Sequence, residues 1–295
     1  MKHTALLLAL AGCGAAPGAV QPSVAAAQAK TYAVHFVQPA HVGERTRILV
    51  DHHEEMVTRI SRDDAVVSDK RDVHSIHCEA VSNVVAVDPE GRATRIRYEV
   101  KDLTSDGLRI PASIIDLTRH AAKKDAEILI DGAPASDDVR KVLSSLFKLG
   151  LDGATDDDVF GTKTSRPLGA HWPLNGALAA ASLKEEYGLG TSSVTGEVWL
   201  DGTTRIGGAD FLAVRATLDL KGLEVPGMPA GAEVERSDAE SEMRAALPID
   251  GRAGRPEDHQ STTMSFQLRV RAPDGSPVKV TVDGKQSQDS SETAL

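Results

Sequence analysis

Histidine and carboxylate side chains crowd into Asp51-His52-His53-Glu54-Glu55. On an extended strand Asp51, His53 and Glu55 project to one face while His52 and Glu54 project to the other. The first three are the candidate metal ligands of this chain, because imidazole nitrogen and carboxylate oxygen together suit divalent cations. Arg47 and Arg59 share that face, so a solvated row of cross-strand ion pairs is the simpler account of the same residues. A second cluster, His74-Ser75-Ile76-His77-Cys78, is divided by the same alternation. His74 and His77 point to opposite faces, which leaves His77 with Glu79, or His74 with Cys78, to act jointly. Cys78 in mid-strand reads as a small buried hydrophobe.

Other chemistries fail on spacing. The acidic run from Asp152 to Lys163 has Asp157 at the sixth position, where a calcium loop needs glycine, and Lys163 at the twelfth, where it needs a carboxylate. Around Phe160-Gly161-Thr162-Lys163-Thr164 a phosphate loop lacks its first glycine, with Asp156 in that place, and the neighbouring acids repel phosphate. Gly190-Thr191-Ser192-Ser193-Val194 is not a nucleophile elbow. Trp172 and Trp199 read as core or rim anchors. The sequence therefore names no catalytic residue and calls for no cofactor, and the expectation is a protein that is not an enzyme.

The elements that carry these residues are mostly strands. Period-2 alternation predicts strands over Thr31–Val37, Thr46–Ile60, Val73–Val87 and Ala93–Leu103, with a hairpin at Asp88-Pro89-Glu90-Gly91-Arg92. Ala126–Ile130 adds a short strand that ends at Asp131-Gly132. Ser136 then caps an amphipathic helix over Asp137–Lys148, with Val139, Val142, Leu143 and Leu146 at helical spacing. A second helix is predicted from about Ala177 to Glu186, after a long connecting stretch. Strands return over Val194–Leu200, Phe211–Leu220, Glu233–Leu247, Thr262–Arg271 and Val278–Val282. The expected fold is mainly β (α+β): two antiparallel meanders, joined by a helical segment at about 136–187, forming a curved sheet or half-barrel with one or two helices packed against it.

Composition narrows the partners. The chain has 295 residues, 41% of them hydrophobic, and a formal charge of −10. It is globular, and its acidic balance without a basic run excludes nucleic acid, whose phosphates need Lys and Arg. Only 3% of residues are aromatic, which provides no stacking platform for bases or sugars. Two cysteines, Cys13 and Cys78, are present, and a chain cleaved at either predicted site keeps no intrachain disulfide.

The first residues, Met1-Lys2-His3 followed by an apolar run from Thr4 to Ala11, form a signal peptide too short to span a bilayer. Leu10-Ala11-Gly12-Cys13 resembles the lipobox of bacterial lipoproteins. That resemblance implies a signal segment over 1–13 and lipid attachment at Cys13, with Gly14 in the next position favouring the outer membrane, facing the periplasm. Cleavage at Ala29 in Ala27-Gln28-Ala29 is the alternative, giving a secreted or periplasmic form. Residues 14–30 read as a flexible tether, 31–285 as one β-rich domain and 286–295 as a disordered tail.

Leu168-Gly169-Ala170-His171-Trp172-Pro173, following a strand, Asp131-Gly132 and a helix, resembles a segment of uncharacterised bacterial exported β-rich lipoproteins. The order of elements is loosely similar to the half-barrels of the LolA/LolB and LppX/LprG kind. His171 departs from the polar residue that precedes Trp in that pattern, and the family carries no catalytic residues to transfer. The resemblance implies a non-catalytic envelope lipoprotein that holds a lipid or other apolar ligand in a curved-sheet cavity. A structural or protein-interaction module of the envelope is the alternative, and a metal-dependent hydrolase stands third. The partners expected are a membrane, through the lipid anchor, and an apolar ligand or an envelope protein.

Overall fold

The computed structural model describes residues 30–120, 126–147, 149, 154–224, 232–249, 254–272 and 274–295. The signal segment with Cys13, the alternative cleavage site at Ala29 and all of the tether except Lys30 lie outside the described residues.

From Thr31 onward the chain runs β1 (Thr31–Tyr32), β2 (Arg45–Arg62), β3 (Ala65–Val87), β4 (Ala93–Ser105), β5 (Leu108–Ile110), β6 (Ser113–Thr118), β7 (Glu127–Ile130) and β8 (Ala133–Pro134). A helical stretch follows, with α1 (Asp137–Leu146), α2 (Asp156–Phe160), β9 (Arg166–Pro167), β10 (His171–Pro173) and α3 (Gly176–Tyr187). The chain then forms β11 (Ser193–Thr195), β12 (Glu197–Ile206), β13 (Ala209–Lys221), β14 (Glu233–Pro248), β15 (Asp258–Arg271) and β16 (Pro277–Ala294). The described residues are mainly β: among them an antiparallel, curved sheet of 14 strands that does not close into a barrel is accompanied by three helices. β1 and β9 make a separate two-stranded pair.

The sheet is two meanders placed side by side. One runs outward from β2 through β3, β4, β6 and β7 to β8, the other from β16 back through β15, β14, β13 and β12 to β10. They meet where β16 pairs with β2, from Lys279 opposite Ser61 to Ala294 opposite Thr46. The helical segment carries the chain from one far edge, β8, to the other, β10. Tight turns set the register of the hairpins. Asp63-Asp64 between β2 and β3 and Gly207-Gly208 between β12 and β13 have positive φ at both residues, the twist that matches flanking strands in a two-residue hairpin.

One face of this sheet is packed, and its apolar residues form two separate clusters. The first joins Cys78, Leu103, Ile115 and Leu117 to Leu143 of α1, with the Tyr98 ring stacked at 4.1 Å on Phe147. The second joins Val198, Leu200, Leu212 and Leu247 to Trp172 and to Ala179 of α3. Burial of these side chains is what holds the helices on the sheet, at roughly 1.5–3 kcal/mol for each large residue. Between the clusters the same face is polar. Gln260, Thr262, Gln286, Gln288 and His52 occupy it by alternation and register, and Thr262 donates to the Ser241 hydroxyl at 3.0 Å.

Three sequence expectations need correction. Residues 286–294 are not a disordered tail; they continue β16, paired with β2 as far as Ala294 and with β15 as far as Ser290. Their polar composition fits a strand whose two faces are both wet at that point of the sheet, where the backbone ladder supplies the pairing. Thr31–Val37 is a strand only at its first two residues. Val34 and Phe36 are buried in the second cluster, but beyond Tyr32 the backbone finds side chains in place of a ladder: Phe36 donates its N–H to Asp157, and its carbonyl accepts from Arg255. The acidic stretch holds a third helix, α2, where Thr155 and Asp158 form a reciprocal capping box.

Candidate functional site

The outer face of the sheet, opposite the clusters, carries the charged residues that the sequence singles out. Asp51, His53 and Glu55 lie on it together, as alternation requires, yet each is engaged by a different residue of β3. His77 Nδ1 is 2.7 Å from Asp51 Oδ1, His53 Nδ1 is 3.0 Å from Ser75 Oγ, and Arg71 donates to Glu55 at 2.9 Å. Arg47 pairs with Glu79 at 2.9 Å and Arg59 with Asp69 at 3.4 Å, so both arginines also reach across to β3 rather than along β2. Among the described residues no group of three or more His, Cys, Asp or Glu side chains is placed to hold a metal ion.

The remaining candidates separate. His77 and Glu79 do not act jointly: the first belongs to Asp51, and the second accepts from Arg47 and from Lys101 at 3.3 Å. His74 bonds to Asp106. Cys78 is fully buried on the packed face, and burial, with the Asp102 and Glu79 charges, pushes its thiol up to about 12, which leaves it inert at neutral pH. Trp172 is a core residue whose indole N–H donates to the Phe160 carbonyl at 2.8 Å, whereas Trp199 lies beneath the Arg215 guanidinium at 4.0 Å.

Register brings together residues that sequence distance conceals. At one level of the sheet Trp199, Arg215, Arg244, His259, Asp289, Asp51 and His77 stand in line, each opposite the next on the neighbouring strand. His259 Nδ1 is 2.6 Å from Asp289 Oδ1, so two histidine–aspartate pairs flank the β16–β2 junction with their carboxylates facing each other. The groove at this level has a volume of about 650 Å³. Both pairs are half-exposed. An exposed pair of this kind can orient an imidazole, but solvent screens it, and general acid–base work also needs a reacting group held against the ring. Arg215 and Arg244 are matched with Asp201 at 3.3 Å and Glu242 at 2.7 Å. The row is a laced ion-pair surface.

A second feature lies at the tip of the β2–β3 hairpin. β3 pairs with β2 along its length, but β4 joins it only from Ile76 onward. Among the described residues no strand pairs the outer side of residues 65–75. The Asp106 carboxylate accepts the Ser75 N–H at 2.9 Å and so caps this edge where β4 ends. Beyond it Val66, Val67 and Val73 are 54%, 62% and 50% exposed. An unpaired strand edge bearing exposed β-branched side chains is a template for another strand. Alternation alone starts this strand at Val73, because the charged run Asp69-Lys70-Arg71-Asp72 masks the residues before it.

Comparison with known proteins adds no family. No family model matches the chain, and no curated protein matches it. It is similar to the crystal structure of Pseudomonas aeruginosa OpdQ at 8% identity, over 85% of this chain and 98% of that one, with a TM-score of 0.22. That score is too low to carry an argument.

Proposed function

We propose that this chain is a non-catalytic interaction module of the bacterial cell envelope, exported, anchored by lipid at Cys13 and engaging a protein by strand addition at the open edge of β3. The observation that carries the reading is that edge, eleven-residue segment 65–75 of β3 with its three exposed valines and no strand beside it among the described residues. A carrier of lipids would want an apolar hollow. The packed face instead has its two ends filled by helices, and between them it presents Gln260, Thr262, Gln286 and Gln288. The groove of the outer face has Leu49, Ala213, Ala246 and Pro256 in its lining, but Asp51, Asp289, His259 and Arg244 stand among them, and an acyl chain seated there would have to desolvate those charges.

The test is a photo-activatable cross-linker at Val73 in the full-length protein, expressed in its own envelope, with native mass spectrometry of the extracted protein alongside. A discrete protein adduct and no stoichiometric apolar passenger are expected. A bound lipid at unit stoichiometry, with no adduct from the β3 edge, overturns the proposal in favour of a carrier.

A further inference from the structure

We infer that the partner at the β3 edge is a second copy of this chain, joined antiparallel about Lys70 so that Asp69 of each copy faces Arg71 of the other. This inference rests on the interaction reading and names its partner.

The backbone limits the registers available. Even-numbered residues of β3 bond toward β2, as Val84 does with Gly43 and Glu44, and no bulge interrupts β2–β3 pairing between Asn83 and Ser68. Odd-numbered residues therefore turn their N–H and C=O outward, as Ser75 does to Asp106. In an antiparallel pair of identical edges, outward groups must meet outward groups, so a two-fold axis passes through one residue of the strand. An axis at Asp69 sets like charges opposite each other in a hydrogen-bonded pair; an axis at Arg71 does the same on the outer face and sets Lys70 against Asp72 twice on the other, where the facing β2 residues Thr58 and Met56 are uncharged and extend no charge lattice. An axis at Asp72 sets Arg71 against valine and Asp72 against itself.

An axis at Lys70 matches charge to charge. Asp69 and Arg71 then oppose each other twice, and Val73 of each copy meets the bulged turn of backbone at Val67 of the other. Because Arg59 already pairs with Asp69, and Glu55 with Arg71, the joint extends this lattice to four strands of alternating sign: Arg59, Asp69, then Arg71 and Glu55 of the other copy. On the opposite face the two Lys70 side chains meet, and each has Asp72 of its own strand 2.8 Å away to offset the repulsion. The symmetry is isologous, so the assembly closes at two copies. Anchoring on one membrane would raise the effective concentration of the edges for each other.

Charge exchange tests both partner and register. Full-length protein extracted in mild detergent should sediment as a dimer. Asp69→Arg alone and Arg71→Asp alone each place like charges opposite twice and should weaken association about tenfold or more. An equimolar mixture of the two variants restores both opposite-charge pairs and should recover the wild-type dimer, whereas loss of the internal Arg59 or Glu55 pairing is the same in mixture and in single variants. Lys70→Cys should yield a disulfide-linked dimer in an oxidising compartment, since the axis places the two sulfurs within bonding geometry. A monomeric wild type, or a mixture no tighter than its components, overturns the inference. Cross-links from Val73 to another protein without a self-adduct overturn it and leave the interaction reading standing; no adduct of either kind overturns both.

Discussion

Substituting Leu143→Ala should open a measurable path to the thiol of Cys78. Leu143 is fully buried on α1, and it belongs to the same cluster as Cys78, which is itself fully buried in mid-strand β3. Two barriers protect the thiol in the native state: steric closure, and a thiolate made scarce because burial pushes the group from 9.0 to about 12. Labelling therefore proceeds through opening of this half of the molecule. Removing the leucine side chain costs about 2–5 kcal/mol in lost burial and residual cavity. Where reclosing outruns labelling, the rate follows the opening equilibrium, and at ~1.4 kcal/mol per decade it should rise from about thirtyfold to several thousandfold. The assay is thiol modification of the folded protein at fixed pH, read by mass on the peptide that contains Cys78, with urea unfolding of the same variant. If wild-type Cys78 reacts like an exposed thiol, or if Leu143→Ala lowers the unfolding midpoint without accelerating labelling, the account of α1 as the cover of this cluster is refuted.

The second cluster should fail at Gly196→Ala, because a Cβ there would lie 1.9 Å from the Thr217 carbonyl oxygen and 2.6 Å from Leu174; a loss of about 1–3 kcal/mol or more is expected in urea melts, and an unchanged midpoint would contradict the close approach. Thr155→Ala removes the hydroxyl that caps α2 and should cost about 1 kcal/mol by the same measurement, with Thr155→Ser nearly neutral. Glu292 is partly buried beside Arg255, and burial raises its carboxyl above the ordinary range. A raised folded value means that its contribution is full below the unfolded value and is lost as pH rises through the folded one. The stability of Glu292→Gln relative to wild type should therefore increase from acid to neutral pH, and a flat or falling difference would show that Arg255 dominates the site.

Local chemistry was readable where one short segment decides the outcome. The turn at Asp88 to Arg92 forms as its Pro-Glu-Gly composition predicts, with Asp88 accepting from the backbone of Glu90 and Arg92. Helix α1 begins at Asp137 after Ser136, although the Ser136 hydroxyl makes no capping hydrogen bond, and alternation puts Asp51, His53 and Glu55 on one face of β2. The α2 cap was also present in the sequence as Thr155-x-x-Asp158, hidden inside a run of acids that reads first as a loop. What no local signal carries is pairing between distant strands. Asp289 faces Asp51 only because β16 lies against β2, and nothing in Gln286–Glu292 announces a strand when its side chains have no apolar face to fill. The charged row exists only in the folded sheet. The β3 edge escaped for the opposite reason, since Asp69 to Asp72 obscures a strand whose pairing with β2 is uninterrupted there.

The junction of β16 with β2 also dictates an order of events in making this protein. Leu295 donates its N–H to the Arg45 carbonyl, and Thr46 lies opposite Ala294, so strands separated by most of the chain must find one another before the sheet is whole. During synthesis the first meander emerges with the β16 side of β2 open along its full length and waits for the last strand. Closure of so long a loop is slow, and an uncovered edge is prone to wrong partners in the meantime. Until β16 arrives β2 stays open to other strands, and a chain cut short before Pro277 would keep the residues of both hydrophobic clusters with the seam between them exposed.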